Sequence, residues 1–170
     1  MIGVNEFFPE FVLNTVQPHG NEMTSMTDED LLGDWSVVYF YPKDFTFICP
    51  TEIAAMDVIG DEAQVVGISG DNEFCKAAWK EANGLIREIN HPLGADCGLV
   101  LAEDLGIVDK DEMVALRATY ILDPDNVVKH VSVNALDTGR NADEVLRTLQ
   151  ALKAGGLTGC SWNPGEEFVA

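Results

Sequence analysis

Trp35-Ser-Val-Val-Tyr-Phe-Tyr-Pro-Lys-Asp-Phe-Thr-Phe-Ile-Cys-Pro-Thr-Glu-Ile-Ala-Ala-Met56 is the stretch from which the fold can be read. Its first part, through Tyr41, is a β-branched and aromatic run that stops at Pro42, the pattern of a buried strand. The residues up to Cys49 read as a loop. Pro50 to Met56 then reads as a helix with proline in its first turn, where a missing N–H costs nothing. A cysteine therefore stands at the junction of loop and helix.

Outward from this segment the pattern continues. Gln64-Val-Val-Gly-Ile-Ser69 reads as a second strand. Asp71 or Asn72 is expected to cap a helix running to about Glu81, with Phe74, Ala78 and Trp79 on one side. Leu99 to Leu105 suggests a short helix. Arg117-Ala-Thr-Tyr-Ile-Leu122 and Val127 to Val133 flank Asp123-Pro-Asp-Asn126, where proline presets φ and asparagine tolerates the left-handed region, so the pair reads as a β-hairpin. Asn141 opens the last helix, with acids in its first turn and Val145, Leu146, Leu149 and Leu152 on one face. Gly155-Gly156 ends it, and Leu157 to Ala170 is turn-rich. Strand–helix–strand–helix, a hairpin and a closing helix make an α/β chain with a mixed central sheet flanked by helices, a description that the thioredoxin-like fold meets. The expected organisation is one domain, 1–154, and a mobile C-terminal tail, 155–170.

Composition narrows the class of function. The 170 residues suffice for one domain with a core of its own, and 46% apolar with 23% charged residues is a globular balance. The formal net charge of −19, from 29 acids against 10 bases, repels nucleic acid and anionic membranes, so neither is expected as a partner. The acids are spread along the chain, as on a heavily hydrated surface. No run of 18 apolar residues exists to span a membrane. Met1-Ile-Gly-Val-Asn-Glu-Phe-Phe-Pro lacks a basic start and a long apolar segment, so a cytoplasmic location is expected.

The four cysteines are Cys49, Cys75, Cys97 and Cys160. None forms a C-x-x-C pair, and His19, His91 and His130 stand far from them, so no zinc-type ligand spacing is present and no metal is expected. Cysteines in such a protein are buried small hydrophobes or redox groups. Cys49 acts as a nucleophile only as thiolate, and a free thiol with pKa about 8.5 holds little of that at neutral pH. A helix starting at Pro50 would favour the anion through unpaired N–H groups and its dipole. The Thr46 hydroxyl, three residues earlier, can reach back to the sulfur or to a bound oxygen. A cysteine at a helix start is equally compatible with a packed, inert thiol. Arg117, opening an apolar strand, calls for a buried anionic partner such as a thiolate or Glu52.

Phe40-Tyr-Pro-Lys-Asp-Phe-Thr-Phe-Ile-Cys-Pro-Thr-Glu52 strongly resembles the active-site signature of the peroxiredoxins. The match is to the typical two-cysteine group that contains bacterial alkyl hydroperoxide reductase C. Pro42, Thr46 and Cys49 carry its Pro-x-x-x-Thr-x-x-Cys core. Gly67-Ile-Ser-Gly-Asp71, Arg117 to Asp123 and Gly139-Arg-Asn-Ala-Asp-Glu-Val-Leu-Arg147 agree with it, and the resemblance spans about Ile2 to Glu167. It implies a thiol-dependent peroxidase of hydrogen peroxide and organic hydroperoxides, serving antioxidant defence without cofactor or metal. By this resemblance Cys49 would attack the peroxide and become a sulfenic acid. Thr46 would hydrogen-bond the peroxide, Pro42 would shield the sulfenate, Arg117 would stabilise the developing charge, Glu52 would orient that arginine, and Arg140 would be a second arginine nearby.

Gly159-Cys-Ser-Trp-Asn-Pro-Gly-Glu166 resembles the resolving-cysteine block of the same group. Cys160 would then attack the Cys49 sulfenic acid of the partner subunit and form an intersubunit disulfide. The implied partners are a peroxide, a dithiol donor (a flavoprotein disulfide reductase, a thioredoxin or similar) and a second copy of the chain, with rings of five or six dimers common among members. Cys75 and Cys97 match no residue the group uses. The segment between Cys49 and Gln64 is short, so the helix there is expected to be clipped. The tail lacks the Tyr-Phe extension of overoxidation-sensitive members, and Asn83-Gly-Leu-Ile only partly matches their Gly-Gly-Leu-Gly element, which implies resistance to overoxidation. A holdase without turnover would not need Thr46, Arg117 and Cys160 together. A thioredoxin-type oxidoreductase would need a second cysteine in Cys49-Pro-Thr-Glu52.

Overall fold

The computed structural model describes residues 1–170. Its strands are β1 (Val12–Val16), β2 (Met23–Thr27), β3 (Ser36–Phe40), β4 (Gln64–Ser69), β5 (Leu93–Ala95), β6 (Val108–Asp109), β7 (Val114–Ala115), β8 (Arg117–Leu122) and β9 (Val128–Asn134). The helices are α1 (Cys49–Met56), α2 (Glu73–Ala82), α3 (Val100–Leu105) and α4 (Ala142–Ala154). Seven strands form one sheet in the order β2-β1-β5-β4-β3-β8-β9, and β6 pairs β7 apart from it. β3, β4 and β5 run parallel; the other pairs are antiparallel. The mixed sheet expected from the sequence is thus present.

Strand β3 lies at the heart of this sheet and is buried at every residue. Successive side chains of a strand point to opposite faces. Val38 and Phe40 accordingly join one core with Phe8, Leu13, Val66, Ile68, Ala118 and Tyr120. Val37, Tyr39 and Tyr41 join the opposite core with Cys49, Ile53, Trp79, Ile121 and Leu149. A strand covered on both faces reads as a continuous apolar run, which is why Trp35 to Tyr41 is legible in the sequence.

Several boundaries agree with the sequence reading. Asn72 caps α2, its side chain accepting from the Cys75 N–H at 2.8 Å, and Asn141 does the same for α4 with Glu144 at 3.1 Å. Asn126 sits at φ 59° in the hairpin turn, and the Asp123 carboxylate accepts from the N–H groups of Asp125 and Val127. Helix α4 ends at Gly155 with φ 74°, the left-handed cap that glycine adopts without strain. Helix α1 is short, as expected, and continues into a single 3₁₀ turn, Asp57–Ile59.

The inward side of α2 is a correction. Phe74 is 66% exposed and Ala78 is also exposed, whereas Lys76, Ala77, Trp79 and Lys80 are buried. At 100° per residue Trp79 lies well round the helix from Phe74, so those residues do not form one stripe. The two lysines turn inward because each finds internal acceptors: Lys80 donates to the Gln17 carbonyl at 3.1 Å, and Lys76 enters a polar cluster. Strands β1, β2, β5, β6 and β7 have no counterpart in the sequence reading. They are short, and β2 is a mostly polar edge of Met, Thr and Ser whose pattern says little without its partner.

Candidate active site

Helix α1 begins at Cys49 itself, with Pro50 at its second residue and Glu52 one turn further on the same face. The Cys49 side chain is fully buried. Arg117, the first residue of β8, donates from Nη1 to Cys49 Sγ at 3.3 Å and to Glu52 Oε2 at 2.6 Å, while its Nε donates to the Leu136 carbonyl at 2.8 Å. Arg140 donates from Nε and from its backbone N–H to Glu52 Oε1, at 3.0 and 3.1 Å. Its remaining nitrogens reach the Ala118 carbonyl, Thr119 Oγ1 and the Phe40 carbonyl, and its guanidinium lies 5.0 Å from the Tyr39 ring centre.

Glu52 is thus chelated by two guanidiniums, and all three side chains are 5% exposed or less. Buried charges persist only when paired and hydrogen-bonded, and here both carboxylate oxygens and most guanidinium donors are matched. One Arg117 nitrogen is shared between carboxylate and sulfur, so a fixed positive group faces the thiol in a buried, low-dielectric site. A thiolate, and the charge that develops when it attacks, is stabilised by such a preorganised donor.

The other expected residues are distributed as follows. Pro42 is buried in the loop and helps line a cavity of about 430 Å³ together with Gly70, Asp71, Leu99 and Val114. The Thr46 hydroxyl does not touch the Cys49 sulfur; it donates to the Lys43 carbonyl at 2.8 Å and is half-buried. Rotation about χ1 would be needed to aim it at an incoming oxygen. Cys160 lies exposed in the tail beside Ser161, and both it and Cys49 are free thiols. The tail is anchored next to Cys160: Trp162 is 6% exposed, stacks on Phe168, and receives a hydrogen bond from Arg147 on its carbonyl at 3.0 Å.

Cys75 is half-buried and Cys97 exposed. Burial raises both thiols above their ordinary pKa, reinforced by Asp44 and Asp71 at Cys75 and by Glu73 at Cys97. Lys76 is the one cation near either thiol, and burial with the neighbouring carboxylates outweighs it, the opposite of a reactive thiol's surroundings. No group of three or more His, Cys, Asp or Glu side chains is arranged to hold a metal ion.

Two polar arrays next to the site escaped the sequence reading. Tyr39 OH bonds His91 Nε2 at 2.6 Å, and His91 Nδ1 bonds Asp57 at 2.6 Å. Burial pushes the Tyr39 phenol far up, and a side chain at Gly67 would overlap its ring. Beneath the loop, Lys76 meets Asp44, Ser69 and Tyr41. A tyrosine in a buried strand and a lysine in an amphipathic helix carry no signal of such pairing until the fold unites them.

The AhpC/TSA family model matches residues 4–131 of the chain. This chain belongs to the AhpC/TSA family. Alkyl hydroperoxide reductase C of Mycolicibacterium smegmatis is 38% identical over 185 residues, covering 99% of this chain and 94% of that protein. The Mycobacterium tuberculosis protein of the same name is 41% identical over 152 residues, with 86% and 77% covered. Among solved structures, Mycobacterium tuberculosis AhpC superposes with a TM-score of 0.86 at 35% identity, covering 96% of this chain and 99% of that one. The reduced 2-Cys peroxiredoxin of Plasmodium vivax gives a TM-score of 0.89 at 31% identity, with 96% and 91% covered. The thioredoxin-like architecture and the peroxiredoxin resemblance of the sequence are both confirmed by these relatives. No helix of the structure is long and apolar enough to cross a membrane.

Proposed function

We propose that the chain is a thiol-dependent peroxidase, with Cys49 as the residue that attacks peroxide. The observation that carries this reading is the fully buried Cys49 sulfur 3.3 Å from Arg117 Nη1, in an AhpC/TSA chain. The thiolate attacks the terminal peroxide oxygen and displaces the alkoxide: the S–O bond to that oxygen forms, the O–O bond breaks, and the leaving alkoxide takes a proton to become alcohol, or water when the substrate is hydrogen peroxide. Arg117 holds the thiolate and the oxygen charge; Glu52 and Arg140 hold Arg117 in register. Thr46 turns from the Lys43 carbonyl to donate to the peroxide, and Pro42 screens the product sulfenic acid from water.

Cys160 of the partner subunit then attacks the sulfenic sulfur, releasing water and forming an intersubunit disulfide. A dithiol donor returns both thiols and is itself oxidised to a disulfide. This step needs the 155–170 tail to release the seat that buried Trp162 makes against Arg147, and Cys49 to become accessible. The functional unit is therefore a homodimer, able to build rings of five or six dimers. Four free thiols fit a reducing cytoplasm, where such an enzyme guards against peroxide.

The test is peroxide consumption with a dithiol reductant, joined to non-reducing gels, for wild type, Cys49→Ser and Cys160→Ser. Wild type is expected to turn over and to give a dimer-sized band after peroxide. Both variants should lose that band and sustained turnover. A Cys49→Ser protein with full activity refutes the proposal.

A further inference from the structure

Cys49 cannot meet another sulfur while its side chain is fully buried, so the loop ahead of it must open at some point in the cycle. That loop, residues 41–48, joins β3 to α1 and carries Pro42 and Thr46. Two of its residues, Tyr41 and Asp44, converge on one buried cation. Lys76 of α2 is fully buried and donates from Nζ to Ser69 Oγ at 2.6 Å, to Tyr41 OH at 3.2 Å and to the Asp44 carboxylate at 3.3 and 3.4 Å. Ser69 Oγ donates in turn to Asp44 at 2.9 Å, and the Asp44 N–H donates to the Asp71 carboxylate at 2.8 Å. The next residue, Phe45, adopts φ 57° and packs its ring 6.1 Å from that of Trp79, also on α2. A bulky residue at positive φ costs energy that surrounding contacts must offset. The loop is thus held against α2 at one ionic point and one aromatic point.

The ionic point has a property the aromatic one lacks. Burial works against both charges, lowering Lys76 and raising Asp44, so each ion is tolerated because the other faces it. Lifting Asp44 away leaves Lys76 without a carboxylate in a fully buried position. The closed loop is favoured by that penalty.

We propose that Lys76 is a positioning residue that latches the Cys49 loop closed, and so sets how a Cys49 sulfenic acid divides between two fates. Closed, the sulfenic acid stays at the peroxide site, where a second peroxide converts it to sulfinic acid with release of one alcohol. Open, it meets Cys160 and becomes a disulfide with release of water. The partition rests on the peroxidase reading above; the latch itself does not.

The experiment compares wild type, Lys76→Met and the double variant Asp44→Asn/Lys76→Met, which leaves no lone buried charge and preserves a folded control. Amide hydrogen exchange followed by mass spectrometry reads loop opening without any catalysis. Exchange in residues 43–49 should rise about ten- to a hundredfold in both variants, the factor expected for a lost bond to a charged group, with β8 unchanged. The yield of Cys49 sulfinic acid per turnover at fixed peroxide should fall several-fold in the same variants. Unchanged exchange at 43–49, or an equal rise throughout the sheet, overturns the latch. Faster local exchange with an unchanged sulfinic yield overturns the control of partition. A wild type that consumes no peroxide refutes the peroxidase reading and the partition with it, while the exchange result still decides the latch.

Discussion

Arg117 Nη1 lies 3.3 Å from Cys49 Sγ although 68 residues separate the two in the chain. The contact exists because β8 runs antiparallel beside β3, the strand that feeds the cysteine loop. Arg117 opens β8 at the end where α1 begins, and its bonds to Leu136 and Glu52 hold Nη1 where it faces the sulfur as well.

Replacing Arg117 by methionine removes the donor that faces the reacting sulfur while keeping most of the side-chain volume. The second-order rate with hydrogen peroxide should fall about 10²–10³-fold, as when one preorganised donor is lost from a site of developing charge. Stopped-flow reaction of the reduced protein measures it. A rate within a factor of about two of wild type would show that the contact does not act on the chemistry.

Glu52 is the single counter-ion of two buried guanidiniums. Glu52→Ala should destabilise the fold by about 3–5 kcal/mol, because both cations stay buried without it. Glu52→Gln keeps acceptor geometry at one oxygen and should cost less. Urea unfolding of the reduced proteins ranks the three, and equal midpoints would contradict the pairing.

His130, on β9, has its pKa lowered by burial, which outweighs the raising effect of Glu144. A depressed folded pKa means that the unfolded chain binds the proton more readily. The histidine's contribution is therefore present above its ordinary pKa of about 6.5 and lost as pH falls through the folded value. Stability should decline as pH falls from above about 6.5 through the lower folded pKa, and His130→Asn should flatten that slope. Urea midpoints across this range give the answer; parallel slopes for the two proteins would exclude it.

Trp162 is the buried anchor of the tail: Arg147 of α4 bonds its carbonyl, and within the tail its ring stacks on Phe168 and its Nε1–H donates to the Glu166 carbonyl at 3.1 Å. Trp162→Ala should release residues 157–170. The amides of Glu166 and Val169, bonded to the Asn163 and Leu157 carbonyls, should then exchange at rates near those of a free chain. Retained protection in the variant would mean that other contacts seat the tail.

Local pattern carried much of this protein. The buried run ending at Tyr41, the proline-led helix after Cys49, the Asp123–Asn126 turn and the capped α4 each rest on short-range rules of strand, cap and turn. Those rules act within a few residues, so the sequence alone determined strands β3, β4, β8 and β9, the four helices and the position of a cysteine at a helix start. The Pro42, Thr46, Cys49 and Glu52 set was legible through the signature that contains it, and the distant Arg117 and Arg140 through the two further blocks that resemble the same group. Tertiary structure alone decided what depends on strands meeting. It turned Lys76 inward onto Asp44 where periodicity favoured Phe74, joined Tyr39 to His91 and Asp57, aimed Thr46 at a carbonyl instead of the sulfur, and paired β1, β2 and β5 into the sheet. A buried charge is stable only opposite a partner, and these partners come from segments far apart in sequence, so no local pattern can announce them.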